Sequence, residues 1–377
     1  MYERQIVPYQ KKMECGKMLA LAIFVSSVLS VVGGAEVKGL PPCNFPAIYN
    51  FGDSNSDTGG CSAALAPLRS PDGETFFGKP TGRISDGRLI IDFMAEQLGL
   101  PYLNSYLDSL GTNYSHGANF AVAGATIRRL NNHPTPFYLG IQTTQYDQLK
   151  ARITDLYNRV KNISRLPRPE HFSKALYTID IGQNDAVRTT FLSNPLEQIP
   201  DMINQLAQAV QNLYNKGGRT FWIHNIGPIG CMPIAQNSIP NRTAESFDQN
   251  GCLNRWTEMA IEFNKQLKDK VIKLRKELPE AALTYVDVYR AKYELISNAK
   301  NLGFTNPLRQ CTKHHETING IKVEVGLCRT PSTYISWDGT HYTEAANRLI
   351  AKSILNGSLS DPPLPITHAC HKQVPIQ

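Results

Sequence analysis

Two polar clusters at opposite ends of the chain have the residue types that acyl transfer needs. Ser54 stands in Asp53-Ser54-Asn55, directly after an apolar run and Gly52. Asp338 and His341 stand together in Asp338-Gly339-Thr340-His341. A serine hydroxyl is a weak nucleophile until a base takes its proton. An imidazole titrates near neutrality and can be that base. A carboxylate on its other nitrogen orients the ring and stabilises the imidazolium. The tetrahedral oxyanion then needs donors already in place. The backbone N–H groups of Ser54 and Gly124 and the side-chain amide of Asn184 are candidates. Each signal has a plainer reading. Asp-Ser-Asn after a strand is a common turn, D-x-x-H is a common spacing, and Gly124 and Asn184 read equally as packing and turn residues. What distinguishes them is that they recur at the ends of strand-like segments.

Residues 47–51 are short, apolar and partly aromatic, follow Pro46 and end at Gly52, which reads as a buried strand carrying Ser54 at its end. Residues 174–181 form a second strand running into Gly182-Gln183-Asn184-Asp185. Residues 219–226 and 282–288 read as further strands, and the short apolar segment 334–337 leads into Asp338. Between them, apolar residues recur at helical spacing over 89–98, 142–160, 199–213, 253–278, 289–302 and 343–355. Strands alternating with helices predict an α/β fold, a three-layer α/β/α sandwich around a parallel sheet. In such a sheet all carboxyl ends lie on one edge, where open α/β folds bind their ligands. Ser54, Asn184, Asp338 and His341 can therefore converge. The small-residue run 117–127 suggests a backbone that packs closely or approaches a ligand. Asp57 and Asp185 read as turn or capping groups outside the site. The loops 61–85 and 131–141 are expected to wall the substrate pocket. Residues 303–332 show no clear period, and the tail after Pro362 reads as extended.

The N-terminus has the pattern of a leader. Arg4, Lys11, Lys12 and Lys17 precede the apolar run 18–32, and Gly33-Gly34-Ala35 follows. This predicts a secretory signal peptide over 1–35 and a single domain over 36–377. The run is short for a membrane span, so stable membrane insertion is not expected. Removing the leader takes away four basic and two acidic residues, and the formal charge falls from +7 to +5. The remaining cations are scattered, with no block of like charge, so no nucleic-acid partner is expected. Asn113, Asn162, Asn241 and Asn356 head N-x-S/T sequons. Seven cysteines remain, so in an oxidising compartment most should pair and one is left over. Cys231 with Cys252 and Cys311 with Cys328 would each close a local loop. There is no C-x-x-C, and His314-His315 and His368/His371 resemble metal ligands only loosely, so no metal and no cofactor is expected. The product is expected to be a secreted monomer of the cell wall or extracellular space, or of the vacuole.

Five blocks of this chain resemble those of the plant GDSL-type esterase/lipases, a branch of the SGNH hydrolases. They are F-G-D-S-N-S-D-T-G (51–59), G-A-N-F-A-V-A-G-A-T (117–126), I-G-Q-N-D (181–185), G-P-I-G-C-M-P (227–233) and D-G-T-H-Y-T-E-A-A-N (338–347). The resemblance runs from about residue 44 to 358 and is nearest to the early-nodulin, acetylesterase-like group, some of whose members are labelled α-fucosidases. It implies a flavodoxin-like sheet. It also implies Ser54 as nucleophile, Gly124 and Asn184 as oxyanion donors beside the Ser54 N–H, and Asp338 and His341 as the remaining triad members. The leucine of the name is Asn55 here, a change expected to affect packing rather than chemistry. The chain has no G-x-S-x-G, so the nucleophile elbow of α/β-hydrolases is missing. The implied activity is hydrolysis of acetyl or short-acyl esters on small molecules, glycosides or glycans. The alternatives are acyl transfer, glycoside hydrolysis, or a non-catalytic binding or defence role.

Overall fold

Successive side chains of a strand point to opposite faces, and both faces of the central sheet carry a core. The computed structural model describes residues 39–372 except 161–162, 237, 239–242, 244–245 and 319–320. The expected leader, Asn162 and Asn241 thus lie outside the described residues. β1 (Ile48–Gly52) sends Tyr49 and Phe51 to one core and Ile48 to the other. With β2 (Gly117–Asn119) beside it, the division continues through β3 (Leu176–Asp180), β4 (Thr220–His224) and β5 (Ala282–Val286). Tyr177, Ile179, Phe221, Ile223, Leu283 and Tyr285 join the Tyr49 side, and Leu176, Trp222 and Val286 join the Ile48 side. Burial on both faces is why these strands read as unbroken apolar runs.

The main helices are α1 (Ile90–Gln97), α2 (Leu139–Arg159), α3 (Gln183–Thr189), α4 (Ile199–Asn215), α5 (Asn254–Glu277), α6 (Val288–Ser297) and α7 (Glu344–Leu355). The apolar stripes of α2, α4 and α5 cover the Tyr49 face, and those of α1, α6 and α7 cover the Ile48 face. The expected three layers are therefore present. The parallel strands lie in the order β2-β1-β3-β4-β5, with Ile48 opposite both Gly117 and Leu176. This is the flavodoxin-like order, and its connections reverse direction about β1, leaving a crevice beyond the carboxyl ends of β1 and β3.

Three features depart from the sequence reading. The segment 303–332 holds β6 (Asn306–Gln310) and a hairpin of β7 (His314–Ile318) and β8 (Ile321–Val325); β6 pairs with β9 (Tyr334–Ser336). The helix expected over 289–302 stops at Ser297, and a separate 3-10 turn covers Ala299–Leu302. The tail is not simply extended. β10 (Ser360–Asp361) adds to β5 as an antiparallel edge strand, and Ile366–His368 form a 3-10 turn.

Cys231–Cys252 and Cys311–Cys328 are bonded, as the local-loop argument anticipates, and Cys61 is free. The third bond, Cys43–Cys370, joins the two ends of the domain across 327 residues of sequence. A cross-link that closes so long a loop removes much of the unfolded chain's freedom. Replacing both Cys43 and Cys370 by Ala is expected to lower the unfolding free energy by about 2–4 kcal/mol. Chemical denaturation under non-reducing conditions measures it, and an unchanged midpoint would show that the native state gains nothing from the bond.

Candidate active site

The end of β1 is held from three sides. Gln142 of α2 accepts the Gly52 N–H at 2.9 Å and donates to the Gly52 carbonyl at 2.8 Å. The Asp53 N–H donates to the Asp180 carbonyl at 3.2 Å. The Asp57 carboxylate accepts from the backbone N–H groups of Gly59, Gly60 and Cys61, and from that of Ala123 at 2.7 Å. Ser54 sits within this fixed turn and is 7% exposed.

The Ala123 contact carries the restraint to the next strand's loop. Gly124 has φ +78, a left-handed conformation, and a Cβ there would stand 2.9 Å from Thr135 Cγ2. Beyond it, the Asp185 carboxylate accepts from the N–H of Ile127 at 2.7 Å and of Arg128 at 3.3 Å. The Asn184 amide donates to the Ala125 carbonyl at 2.9 Å. Asp57 and Asp185 are thus backbone clamps on either side of Gly124, in keeping with the turn and capping reading. Burial pushes both carboxyls up, Asp185 to about 6, against the pull of the N–H groups they accept. Among the described residues no acceptor meets the N–H of Ser54 or of Gly124.

β9 delivers the third part. The turn after Trp337 is closed by Asp338, whose Oδ1 accepts the N–H of Thr340 at 3.0 Å and of His341 at 2.8 Å. Its Oδ2 meets His341 Nδ1 at 2.6 Å. Trp337 Nε1 donates to Asp72 at 2.8 Å and so fixes the entry to the turn. Burial works to raise the Asp338 carboxyl, but the His341 charge and these hydrogen bonds outweigh it and bring it down to about 2. For His341 burial disfavours the charged ring. The Asp338 anion, with smaller help from Asp53 and Asp72, overcomes this and lifts the imidazole above its ordinary value. His341 Nε2 is buried and without a partner among the described residues. No hydrogen bond joins it to Ser54 Oγ there, a common state of ligand-free sites, in which such bonds tighten on binding.

Ser54, Asn184 and His341 line one cavity of about 460 Å³ at the carboxyl edge of the sheet. Asp338 stands behind His341, and Gly124 borders the site through its clamped loop rather than through the cavity wall. The walls are mostly apolar: Val187, Phe191, Pro228, Ile229, Met232 and Ile234. Of the two loops expected to form them, 131–141 contributes His133 and Pro134, whereas 61–85 contributes no lining residue. The second loop instead supports the site from outside, through Asp72. Among the described residues no Asp or Glu lines the cavity. Several lining residues escape the sequence reading, among them Arg188 and Lys292; Lys292 of α6 lies on the buried stripe with Val288, Ala291, Leu295 and Ile296. A lysine at an apolar position of a periodic helix is the signal that could have found it. The grouping of Cys43, Cys370 and His371 offers no thiolate for a metal, since both sulfurs are bonded to each other.

Residues 48–354 match the family model described as GDSL-like lipase/acylhydrolase. A GDSL esterase/lipase of Arabidopsis thaliana is 53% identical over 360 residues, covering 90% of this chain and 92% of its own. One of Zea mays is 46% identical over 358 residues, covering 88% and 90%. A protein of Arabidopsis thaliana named alpha-L-fucosidase 3 is 44% identical over 356 residues, covering 88% and 93%.

Proposed function

The chain belongs to the GDSL-like lipase/acylhydrolase family and is a serine ester hydrolase, and we propose that it works through a Ser54–His341–Asp338 triad. The 2.6 Å bond between Asp338 and His341, with a buried, unpartnered Nε2 in the cavity that Ser54 lines, carries this reading. His341 Nε2 takes the Ser54 proton as Oγ bonds to the ester carbon, and the carbonyl's π electrons move onto its oxygen. The resulting anion is met by the N–H groups of Ser54 and Gly124 and by the Asn184 amide. The intermediate expels the alcohol, which leaves with the proton held on Nε2. A water then attacks the acyl-serine by the same route and releases the acid. Because the Gly124 loop is clamped at Ala123, Ala125 and Ile127, its donor pays little reorganisation when the charge develops.

Asn184→Ala is expected to lower kcat by about 10²–10³ while leaving KM within a few-fold. Steady-state kinetics on a short-chain aryl ester reads this directly, and an unchanged kcat would remove Asn184 from the oxyanion site. Since Asn184 also holds the Ala125 carbonyl, the melting temperature is measured alongside.

Acetyl or short-acyl esters of glycosides, glycans or other small molecules are the proposed substrates, with acyl transfer to another alcohol as the nearest variant. A glycosidase, as one relative's name suggests, needs two carboxyl groups about 5–9.5 Å apart across the sugar bond. Among the described residues the cavity walls offer none. A serine-directed organophosphate separates the two readings, because it silences an esterase of this design and spares a carboxylate-driven glycosidase. Secretion through the segment 1–35, leaving a single domain over 36–377, completes the proposal. Three disulfides fit an oxidising compartment, and among the described residues no helix is long and apolar enough to cross a membrane. Of the proposed glycan sites, Asn113 is exposed and Asn356 half-buried.

A further inference from the structure

Lys292 is 2% exposed, yet among the described residues it makes neither a hydrogen bond nor a contact ion pair. Lys292 borders the cavity, as do the two residues it packs against, Gly227 and Tyr342. The position is built. Its aliphatic stem passes over the backbone of Gly227, where a Cβ would stand 2.9 Å from Lys292 Cδ. Its ammonium lies 4.5 Å from the centre of the Tyr342 ring, a cation–π contact one residue beyond His341.

Two carboxylates lie near enough to matter electrostatically, but among the described residues neither forms an ion pair with Lys292. Asp180 stands 3.3 Å from His224 Nδ1 and accepts from Gln183 at 3.1 Å, while Asp53 accepts twice from Asn55 at 3.0 Å, both times through Oδ1, and its buried Oδ2 has no partner there. They explain how a charge is tolerated there. They do not explain where its three N–H bonds go. An ammonium held out of bulk water without acceptors is costly. In the free protein a cavity of this size can hold water that meets them. A substrate that displaces that water must return an acceptor or leave the ammonium unbonded.

We propose that Lys292 is a specificity-determining residue that takes an oxygen acceptor of the substrate, so that the enzyme favours esters with an apolar body and one oxygen function placed away from the reacting carbonyl. This rests on the esterase reading and adds to it the chemistry of the group bound. A hydroxyl, an ether or a carboxylate oxygen offers the same lone pairs. The apolar walls, among them Val187, Phe191, Ile229 and Met232, suit the hydrocarbon part; Arg188 also lines the cavity but is exposed, whereas Lys292 is buried. Sites built to hydrogen-bond a substrate discriminate sharply against analogues without the group, by up to about 10⁴–10⁵.

The test is an oxygen scan. para-Nitrophenyl hexanoate is compared with esters in which each acyl methylene from C3 to C5 in turn is replaced by an ether oxygen, and kcat/KM is normalised to the uncatalysed hydrolysis rate. The same scan is made from C3 to C5 in the alcohol of hexyl butanoate. The wild-type enzyme is expected to show a peak of at least tenfold at one position of one scan. Lys292→Met should flatten that peak, the favoured ether ester losing at least tenfold relative to its hydrocarbon parent. Flat wild-type profiles in both scans overturn the proposal without need of the variant. So does a variant that loses activity on all esters in equal proportion, which marks a structural lysine. An enzyme that hydrolyses none of the parent esters overturns the esterase reading and this inference with it.

Discussion

Ser54→Ala is expected to abolish ester hydrolysis, with kcat falling by about 10⁶, and to melt at the wild-type temperature. The two halves of this expectation have separate grounds. The chemical half follows from what remains. His341 and Asp338 would still hold each other at 2.6 Å, and the oxyanion donors would still stand, but no group on the protein could bond to the acyl carbon. Removing the nucleophile of such a unit costs nearly as much as removing all its members, and only the background supplied by the donors and by binding persists. The structural half follows from how the turn is held. Its anchors are the Asp57 carboxylate, the Gln142 amide and the Asp180 carbonyl, none of which touches the Ser54 hydroxyl. That hydroxyl takes part in no hydrogen bond among the described residues, so its loss leaves no partner unsatisfied. Turnover of a short-chain aryl ester and a thermal melt measure the two halves. A variant that melts normally and still turns over the ester would end Ser54's candidacy.

The parts legible in the sequence share one property: their signal is local. Residues 47–51 announce a strand because both faces of β1 are buried, so Ile48, Tyr49 and Phe51 are all apolar. The amphipathic runs of α4 and α5 announce themselves by periodicity. Once the sheet is parallel, a common edge for Ser54 and Asn184 follows from topology; His341 does not follow in this way, because β9 pairs with β6 outside the central sheet, yet it lines the same cavity. What escaped is non-local or weakly patterned. β2 is three small or polar residues, Gly117–Asn119, defined by pairing with β1 rather than by its own sequence. β7 opens on His314-His315-Glu316-Thr317, which has no apolar alternation to read. β10 is two residues long and exists through its pairing with β5. The partner of Cys43 lies 327 residues away, beyond any loop argument from spacing. The cavity walls come from segments after β3, β4 and β5, whose approach depends on how three loops fold together, so the sequence points to 61–85 and leaves 227–234 unnamed as a wall. Asp57 and Asp185 were legible as turn or capping groups, but not that both hold the backbone around Gly124.

Asp338→Asn tests the electrostatic part of the site, and its effect on pH dependence is more telling than its effect on rate. Asparagine keeps the size of the side chain and removes the charge. It can also present its NH₂ to His341 Nδ1, favouring the tautomer that carries the proton on Nε2 and so cannot accept one from Ser54. A loss of about 10³–10⁴ in kcat is expected. The pH profile has a definite sign. In the wild type the Asp338 anion lifts the His341 imidazole above its ordinary value of 6.5 despite burial. A base works only when neutral, so activity should fall as pH drops through this raised value, giving an acidic limb above 6.5. Without the anion, burial acts with less opposition, and only the weaker fields of Asp53 and Asp72 remain. The limb should move to lower pH even as the plateau falls. Stability should follow the same pair. Asp338, held down at about 2, contributes fully above its ordinary 3.8 and loses this as pH falls toward 2. His341, held up, contributes fully below 6.5 and loses this as pH rises through its folded value. The variant should therefore be most destabilised between pH 3.8 and 6.5 and progressively less so above. Rate profiles and melts from pH 4 to 9 contain both answers. Coincident acidic limbs in the two enzymes would mean that Asp338 does not set the protonation of the group that limits the reaction.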